Sequence, residues 1–500
     1  MAAGRPGVNR AFIAAWPDPG RAGPNGPFPS TPRVRRPGAA EVKAQAATRI
    51  ERPRQGAPPR DAALWLLACL LFGVLLRPGA ALAVPAFAQQ TGQPCAACHV
   101  GAFGPQLKQY GRDFKLNGYV AGDGKSHGLP LALSTQLSFT HTNSAQPGPA
   151  APHFAANDNV ALDQTSFYYA GRIVPWLGAF VQITYDGVAD QLHIDNTDIR
   201  HAHDGELFDE DIVYGFTANN NPTISDLWNS TPAWGFPYNG SALAPTPMAA
   251  TLIDGGLGQR VLGGGAYAMW NDLVYVEADL YRGLGYDVLN ATGIVPVAGT
   301  DKTSGVIPYW RVALQRDFGR SYVEVGGYGL NASVLPGGVD MAGLTDRFTD
   351  TALDANYQFI FNPKSVTSDM VSAHATLIHE NASLAASQAI SGALRSHSLN
   401  TFRADLSYSI AATITPTVQY FQTSGTSDAA YWGTPNGSPD SSGFIAEIAY
   451  VPWGKPDSWL SWANIRFAVQ YVDYLRFDGE ARNASANNAL YFSVWAAAHF

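Results

Sequence analysis

Cys95-Ala96-Ala97-Cys98-His99 is the most specific chemical motif in the chain. A CxxCH sequence puts two thiols one helical turn apart, so that each forms a thioether to a vinyl group of one haem. The next residue then brings an imidazole under the iron, the signature of covalent c-type haem attachment. A thioredoxin-like CxxC would sit in a βαβ unit, and a zinc site would need two more ligands nearby. Neither context is present around residues 95–99. The sixth ligand is open. His127, in the Gly-rich segment 123–128, is the nearest imidazole and His141 comes next. The alternative is that both are surface histidines and the iron is five-coordinate or finds a ligand from the rest of the chain. Residues 105–116 (PQLKQYGRDFKL) read as a short helix, with Leu107, Tyr110 and Phe114 spaced to cover a porphyrin. Arg112 and Lys115 are candidate partners of the haem propionates, or else solvated cations at the helix end. A second cluster runs through His193, Asp195, His201, His203, Asp204, Glu206, Asp209, Glu210 and Asp211, expected on one hairpin. His201 and His203 share a face, which makes a metal-binding ledge conceivable; a charged rim is the bland reading.

Haem attachment of this kind occurs outside the cytoplasm, and the segment before the motif carries an export signal. The apolar run 62–76, which includes Cys69, is shorter than the roughly 20 residues of a membrane-spanning helix. Its length and the following Ala81-Leu82-Ala83 fit a signal peptide over residues 61–83, with Ala86-Phe87-Ala88 as a second possible cleavage site. A lipobox at Cys69 is disfavoured because the apolar run continues beyond it. Residues 1–60 are basic and rich in Pro and Gly, and read as a disordered or mis-called N-terminal extension. The whole chain carries a formal charge of −8. The basic leader masks a more acidic remainder, which excludes nucleic-acid binding.

Composition then decides what must hold the motif. Charged residues are 14%, aromatics 12% and Gly 50 of 500, against about 25% charged in ordinary soluble chains. Repeated apolar helices are absent from the sequence. From residue 129 onward the hydrophobic period is two, for example in 131–139 (LALSTQLSF), 273–281 (LVYVEADLY), 322–330 (YVEVGGYGL) and 402–410 (FRADLSYSI). Tight connections near 175, 271, 319, 363 and 452–456 alternate with long polar ones near 142–160, 219–258, 285–305, 334–346, 382–396, 426–442 and 475–486. Alternating strands with short turns at one end and long loops at the other predict an all-β fold, a transmembrane outer-membrane barrel of about 16 antiparallel strands. The last strand alternates back from Phe500, and a terminal aromatic of this kind resembles the signal read by the barrel assembly machinery. The organisation expected is a small c-type haem module over residues 84–128 and a porin-like barrel over 129–500. A barrel of that size encloses water unless something fills it, and the haem module is the obvious filler.

The stretch Val84–Gly92 (VPAFAQQTG), the motif Cys95–His99, and Pro105, Leu107, Tyr110-Gly111-Arg112, Phe114-Lys115-Leu116 and Gly118-Tyr119 together resemble the fused outer-membrane cytochrome–porin proteins of iron-oxidising bacteria. The resemblance implies cleavage after Ala83 and one covalent haem c held in or below the pore. It implies Fe(II) oxidation at the outer surface and passage of the electron to a periplasmic c-type cytochrome or other carrier. Related fusions also occur in bacteria not known to oxidise iron. A diffusion porin with a haem plug or sensor, and electron export to an extracellular acceptor, therefore stay open.

Overall fold

The computed structural model describes residues 86–122, 129–294, 299–338, 340, 342–460 and 462–499. The expected signal peptide, Cys69, Ala83, His127 and Phe500 lie outside these residues. Three short helices come first, α1 (Ala86–Thr91), α2 (Cys95–Cys98) and α3 (Gln109–Leu116). The strands follow as β1 (Leu131–Thr142), β2 (Asn159–Val174), β3 (Leu177–Asp186), β4 (Gln191–Leu207), β5 (Glu210–Asn219), β6 (Val261–Trp270), β7 (Val274–Gly283) and β8 (Gly299–Ser304). The rest are β9 (Val306–Asp317), β10 (Ser321–Gly337), β11 (Asp346–Ile360), β12 (Met370–Leu384), β13 (Ser396–Ser409), β14 (Ile414–Gly425), β15 (Ser441–Tyr450), β16 (Ala463–Arg476) and β17 (Ala489–His499).

Apart from β8, each strand pairs antiparallel with its neighbour in sequence, β7 with β9, and β17 returns to β1 from Ala132↔His499 to Thr142↔Ala489, so the sheet closes on itself. β8 and β9 both pair with β10 and are separated only by Gly305, whose φ is +75°. They form one interrupted stave, and the barrel has 16. Glycine is required at that break because a β-branched or bulky residue is strained at positive φ.

The alternation expected from the sequence is inverted relative to a soluble sheet. On β11 the side chains of Asp346, Asp350, Asp354, Asn356 and Gln358 are buried in the lumen, while Leu353 and Tyr357 face outward and are exposed. Leu137, Val160, Phe167, Val276, Val312, Leu314, Val325, Leu377, Leu406, Ile448 and Val469 continue the outward apolar band. In water such a surface would be costly, at about 25 cal/mol per Å² of exposed apolar area; against lipid it is the favourable face. Among the described residues no helix is long and apolar enough to cross a membrane. The spanning elements are the strands, closed so that no backbone group is left unpaired in the lipid. This is an outer-membrane β-barrel.

Both ends of the barrel sequence lie at the short-turn rim, the periplasmic side in this architecture. Exposed Trp176, Phe208, Phe318, Phe361 and Trp459 sit in turns of that rim, where amphipathic rings favour the bilayer interface. Two expectations need correcting. The His/acid cluster does lie on one hairpin, β4–β5, but it is not crowded together: β4 runs the full height of the wall, leaving His193 near the outer rim and Asp204–Asp211 at the periplasmic rim. The segment 219–258 is not an outer loop projecting into solvent. It folds into the barrel, with Ile224, Asp226, Leu227 and Thr231 all but inaccessible.

Candidate haem site in the barrel mouth

The CxxC cysteines occupy a single helical turn, α2, and His99 leaves it in extended conformation (φ −113°, ψ 141°) to make a bridge with Leu107. The chain reverses between them through Gly101, at φ +69°, where a Cβ would stand 2.8 Å from Thr415 Oγ1. α3 packs on the motif so closely that a Cβ on Gly111 would lie 2.7 Å from the Cys98 carbonyl oxygen. The Lys108 amide donates to that same oxygen at 2.8 Å.

Turns of the barrel then fix the motif from outside. The Ala96 amide donates to Gly454 O at 2.9 Å, in the β15–β16 connection. Lys108 Nζ donates to Ala96 O and to Val366 O, both at 2.8 Å, tying α2 to the β11–β12 connection. Asn464 Nδ2 donates to Ala102 O at 2.9 Å, and Cys95, Ala96 and Ala102 pack with Ala412 and Val451. The thiols are not joined in a disulfide. Burial pushes the Cys98 thiol up to about 12, with Cys95 acting the same way and Lys108 opposing. That is the reverse of the lowered thiol of an exchange-active CxxC. Burial pushes His99 down to about 3, so its imidazole is neutral and its lone pair available. His99 Nδ1 is buried and makes no hydrogen bond of good geometry, although the backbone of Gly104 and Gln106 lies within reach of the ring. Two thiols on one turn, followed by a neutral imidazole, are a donor set that fits haem c.

The remainder of the module reaches the wall all round the mouth. Gln90 accepts from the Arg172 amide at 2.7 Å and donates to Tyr119 O and Ala121 O. Tyr119 donates to Asp198 Oδ2 at 2.6 Å, and Tyr267 donates to Leu116 O at 2.8 Å. Gln106 reaches Ser372 at 2.8 Å and His374 at 3.1 Å, and Phe103 meets Trp495 edge-on at 5.0 Å. On β3, Gly178 is needed because a Cβ there would lie 2.2 Å from Gly118 O. From above, the inward segment closes on the module: Asn229 donates to Pro105 O at 2.8 Å and Tyr238 to Gln106 at 3.2 Å. The module is a plug.

No protein-family model matches the chain, and no curated protein does. Solved structures similar to it include OmpT of Vibrio cholerae in trimer form, 10% identical, covering 74% of this chain and 98% of that one with a TM-score of 0.39. The anion-selective porin from Comamonas acidovorans is 11% identical, covering 74% and 98%, with a TM-score of 0.40. OprB of Pseudomonas putida is 10% identical, covering 74% and 93%, with a TM-score of 0.41.

Several sequence assignments change. Lys115 is no propionate partner: its three donors go to Ile224 O at 2.7 Å, Asp226 O at 2.6 Å and Asn229 Oδ1 at 2.8 Å. Arg112 stacks 3.7 Å from the centroid of Tyr322 and donates to Leu107 O and Gln358 Oε1, both at 3.0 Å. Neither is solvated either; both anchor the plug. Tyr110 does not share a face with Leu107 and Phe114. It is exposed beside Gln109 and Asp113, whereas Phe114 packs on Phe87 and Tyr119. His141 sits near the outer end of β1, paired with Asp158 at 2.6 Å, roughly 30 Å of strand rise from the plug. His201 and His203 do share a face, with ring centroids 5.6 Å apart, but no third His, Cys, Asp or Glu among the described residues joins them as a ligand group. They point outward among Trp176, Tyr214 and Phe216, and His201 Nδ1 pairs with Trp176 O at 2.7 Å. Among the described residues no group of three His, Cys, Asp or Glu is arranged to hold a metal. The histidine brought to the plug is His374, which pairs with Gln106 through Nε2 and with Asp405 through Nδ1 at 2.9 Å. No local motif marks it; it lies 275 positions from His99 on β12, and only the closed topology joins them.

Asp113, on the solvent side of α3, gives a pH prediction. Desolvation at the mouth pushes its carboxyl up to about 6 from 3.8, Arg112 opposes, and Asp272 and Asp317 push the same way. Between those values the folded chain holds more protons than the unfolded one, so stability falls as pH rises through that window. Asp113→Asn is expected to be more stable than the native chain at pH 7 and to lose that part of the decline. Thermal unfolding followed by near-ultraviolet circular dichroism across the window is the check.

Proposed function

We propose that this chain is an outer-membrane electron conduit, a monohaem c-type cytochrome seated in the mouth of its own barrel. Cys95 and Cys98 would hold the haem through thioethers, and His99 would ligate its iron. Bound there, haem supplies a one-electron Fe(III)/Fe(II) couple. The observation that carries the reading is the CxxC turn at the periplasmic mouth, followed directly by His99, whose imidazole burial keeps neutral.

The chain's own residues do the rest. Lys108 and Asn464 pin the attachment turn to the barrel, so its orientation is set by the wall rather than by a mobile tether. Gln109, Tyr110 and Asp113 are exposed toward the periplasm, which leaves this edge open to a carrier such as a periplasmic c-type cytochrome. Hydrocarbon about 30 Å thick insulates the two compartments, and the barrel replaces it with polar side chains. By the family resemblance the extracellular donor is Fe(II). Free diffusion of solutes is disfavoured, because the plug and the segment 219–258 both occupy the lumen.

Adding Fe(II) to the oxidised, haem-loaded protein in detergent tests the reading. The Soret and α bands are expected to shift to the reduced form within minutes. No shift with Fe(II), but full reduction by dithionite, would remove iron as donor and leave export or sensing.

A further inference from the structure

The carboxylates buried in the wall of β4 to β11 and the segment lying against it include Asp198, Asp226, Glu277, Asp279, Glu324 and Asp354, and the buried cations near them are Arg200 and Arg311 of the wall and Arg112 and Lys115 of the plug. Arg311 pairs with Asp226 at 3.3 Å, Glu324 at 3.2 Å and Asp354 at 2.8 Å, and Arg200 pairs with Asp198 at 2.8 Å. Among the described residues no cation forms an ion pair with Glu277 or Asp279, although Arg200 acts on both and Lys115 on Glu277 from farther away. These two are 4% and 2% exposed, lie two apart on β7 and so share the luminal face, and their carboxyls are within hydrogen-bonding reach of each other.

Each carboxyl has one oxygen fixed and one without a partner. Tyr275 donates to Glu277 Oε2 at 3.1 Å, and Tyr281 donates to Asp279 Oδ2 at 3.0 Å. Glu277 Oε1 and Asp279 Oδ1 have no partner. Two further buried hydroxyls lie nearby: Ser225 Oγ, within hydrogen-bonding reach of Glu277, and the phenol of Tyr309, which has no partner among the described residues and whose ring meets Tyr281 at 6.4 Å. The facing strand makes room for them. A Cβ on Gly265 would lie 2.3 Å from Asp279 Oδ1, and one on Gly263 would lie 2.3 Å from the Tyr281 ring. Glycine at these two luminal positions of β6 lets the two side chains lie along the wall.

Buried carboxylates are paired, protonated or coordinate metals. We propose that Glu277 and Asp279 bind a hard divalent cation in the lumen above the plug, with hydroxyl oxygens and water completing the shell. Two carboxylates with several waters is a usual donor set for a small, strongly hydrated divalent ion, and oxygen donors favour ions such as Mn²⁺ and Mg²⁺ over thiophilic ones. Asp279 lies four residues from the outer end of β7, on the outer-surface side of the plug. The site does not rest on the haem reading; where that reading also holds, Fe(II) is a cation of this class.

The test is titration of the full-length purified protein with Mn²⁺, following loss of the free-ion electron paramagnetic resonance signal. One ion bound per barrel is expected, and the double substitution Glu277→Gln with Asp279→Asn is expected to weaken that binding at least ten-fold. Heat-modifiable gel mobility shows that each variant barrel is folded, and Glu277→Asp is expected to recover part of the affinity. Undiminished binding in the folded double variant, or none in the native protein, overturns the site, the latter pointing to a proton shared between the carboxyls. The haem spectrum, recorded on the same samples, reports on the electron-conduit reading separately.

Discussion

Replacing both Cys95 and Cys98 by alanine is expected to abolish covalent haem while leaving the barrel folded and inserted. Native protein expressed with the cytochrome c attachment machinery should give a haem-stained band after denaturing electrophoresis, and the double variant none. The all-or-none size of the effect follows from chemistry, since each thioether needs its own thiol and no other described cysteine is present. The barrel is insulated from the change. Neither thiol contributes to a strand pairing, and the contacts that hold α2 to the rim are backbone ones, Ala96 N to Gly454 O and Lys108 Nζ to Ala96 O. Trimming two small side chains costs about 1 kcal/mol each, small against a closed barrel. A control separates haem attachment from thiol chemistry. With Cys98 pushed up to about 12 by burial, the thiols of haem-free protein should resist alkylation until it is denatured. A native band that never stains would remove the cytochrome reading, whereas rapid alkylation of folded haem-free protein would show only that the thiols are accessible.

The barrel was legible in the sequence because lipid and lumen impose opposite demands on alternate residues. Leu353 and Asp354 on β11 show this directly, one exposed to lipid and the next held by Arg311. CxxCH was legible because its chemistry fixes both residue type and spacing. What failed to show were relations the closed topology creates. Lys115 and Arg112 looked like surface cations because nothing nearby in sequence announces Asp226, Asn229 or Gln358, which come more than 100 positions later. The segment 219–258 looked like an outer loop because chain that crosses a lumen has no period. Its one hint is composition, with Ile224, Leu227, Trp228 and Trp234 too apolar for a solvated loop. His201 and His203 misled in the opposite direction: a shared strand face was read as a ligand pair, but that face looks toward lipid.

Deleting residues 86–122 is expected to turn a nearly closed barrel into a conducting one, raising single-channel conductance in planar bilayers on the order of ten-fold or more, as an emptied lumen of this strand number allows. The wall does not depend on the plug for closure, since β1 pairs directly with both β2 and β17. Plug residues supply no strand, and the wall groups they leave behind, such as Asp198, Tyr322 and Asn464, are polar and can be hydrated. The opening should still be partial. The inward segment loses Lys115 and the Asn229 to Pro105 bond, yet it keeps anchors to the wall. Asp226 stays paired with Arg311, Asp254 with Arg403, and the amides of Leu252 and Ile253 with Glu380 and Asp350. A second deletion that shortens 222–256 in the plugless chain should therefore raise conductance again, whereas in the intact chain the same deletion should change it little, because the plug remains in series. If the intact protein already conducts like the plugless one, solutes pass around the module and the barrel is a diffusion porin. Two obstructions in series, each tied to the wall by its own bonds, are expected to restrict solute flow through the intact chain. On the electron-conduit reading, the exposed periplasmic edge of the CxxC turn is then the face offered to a carrier.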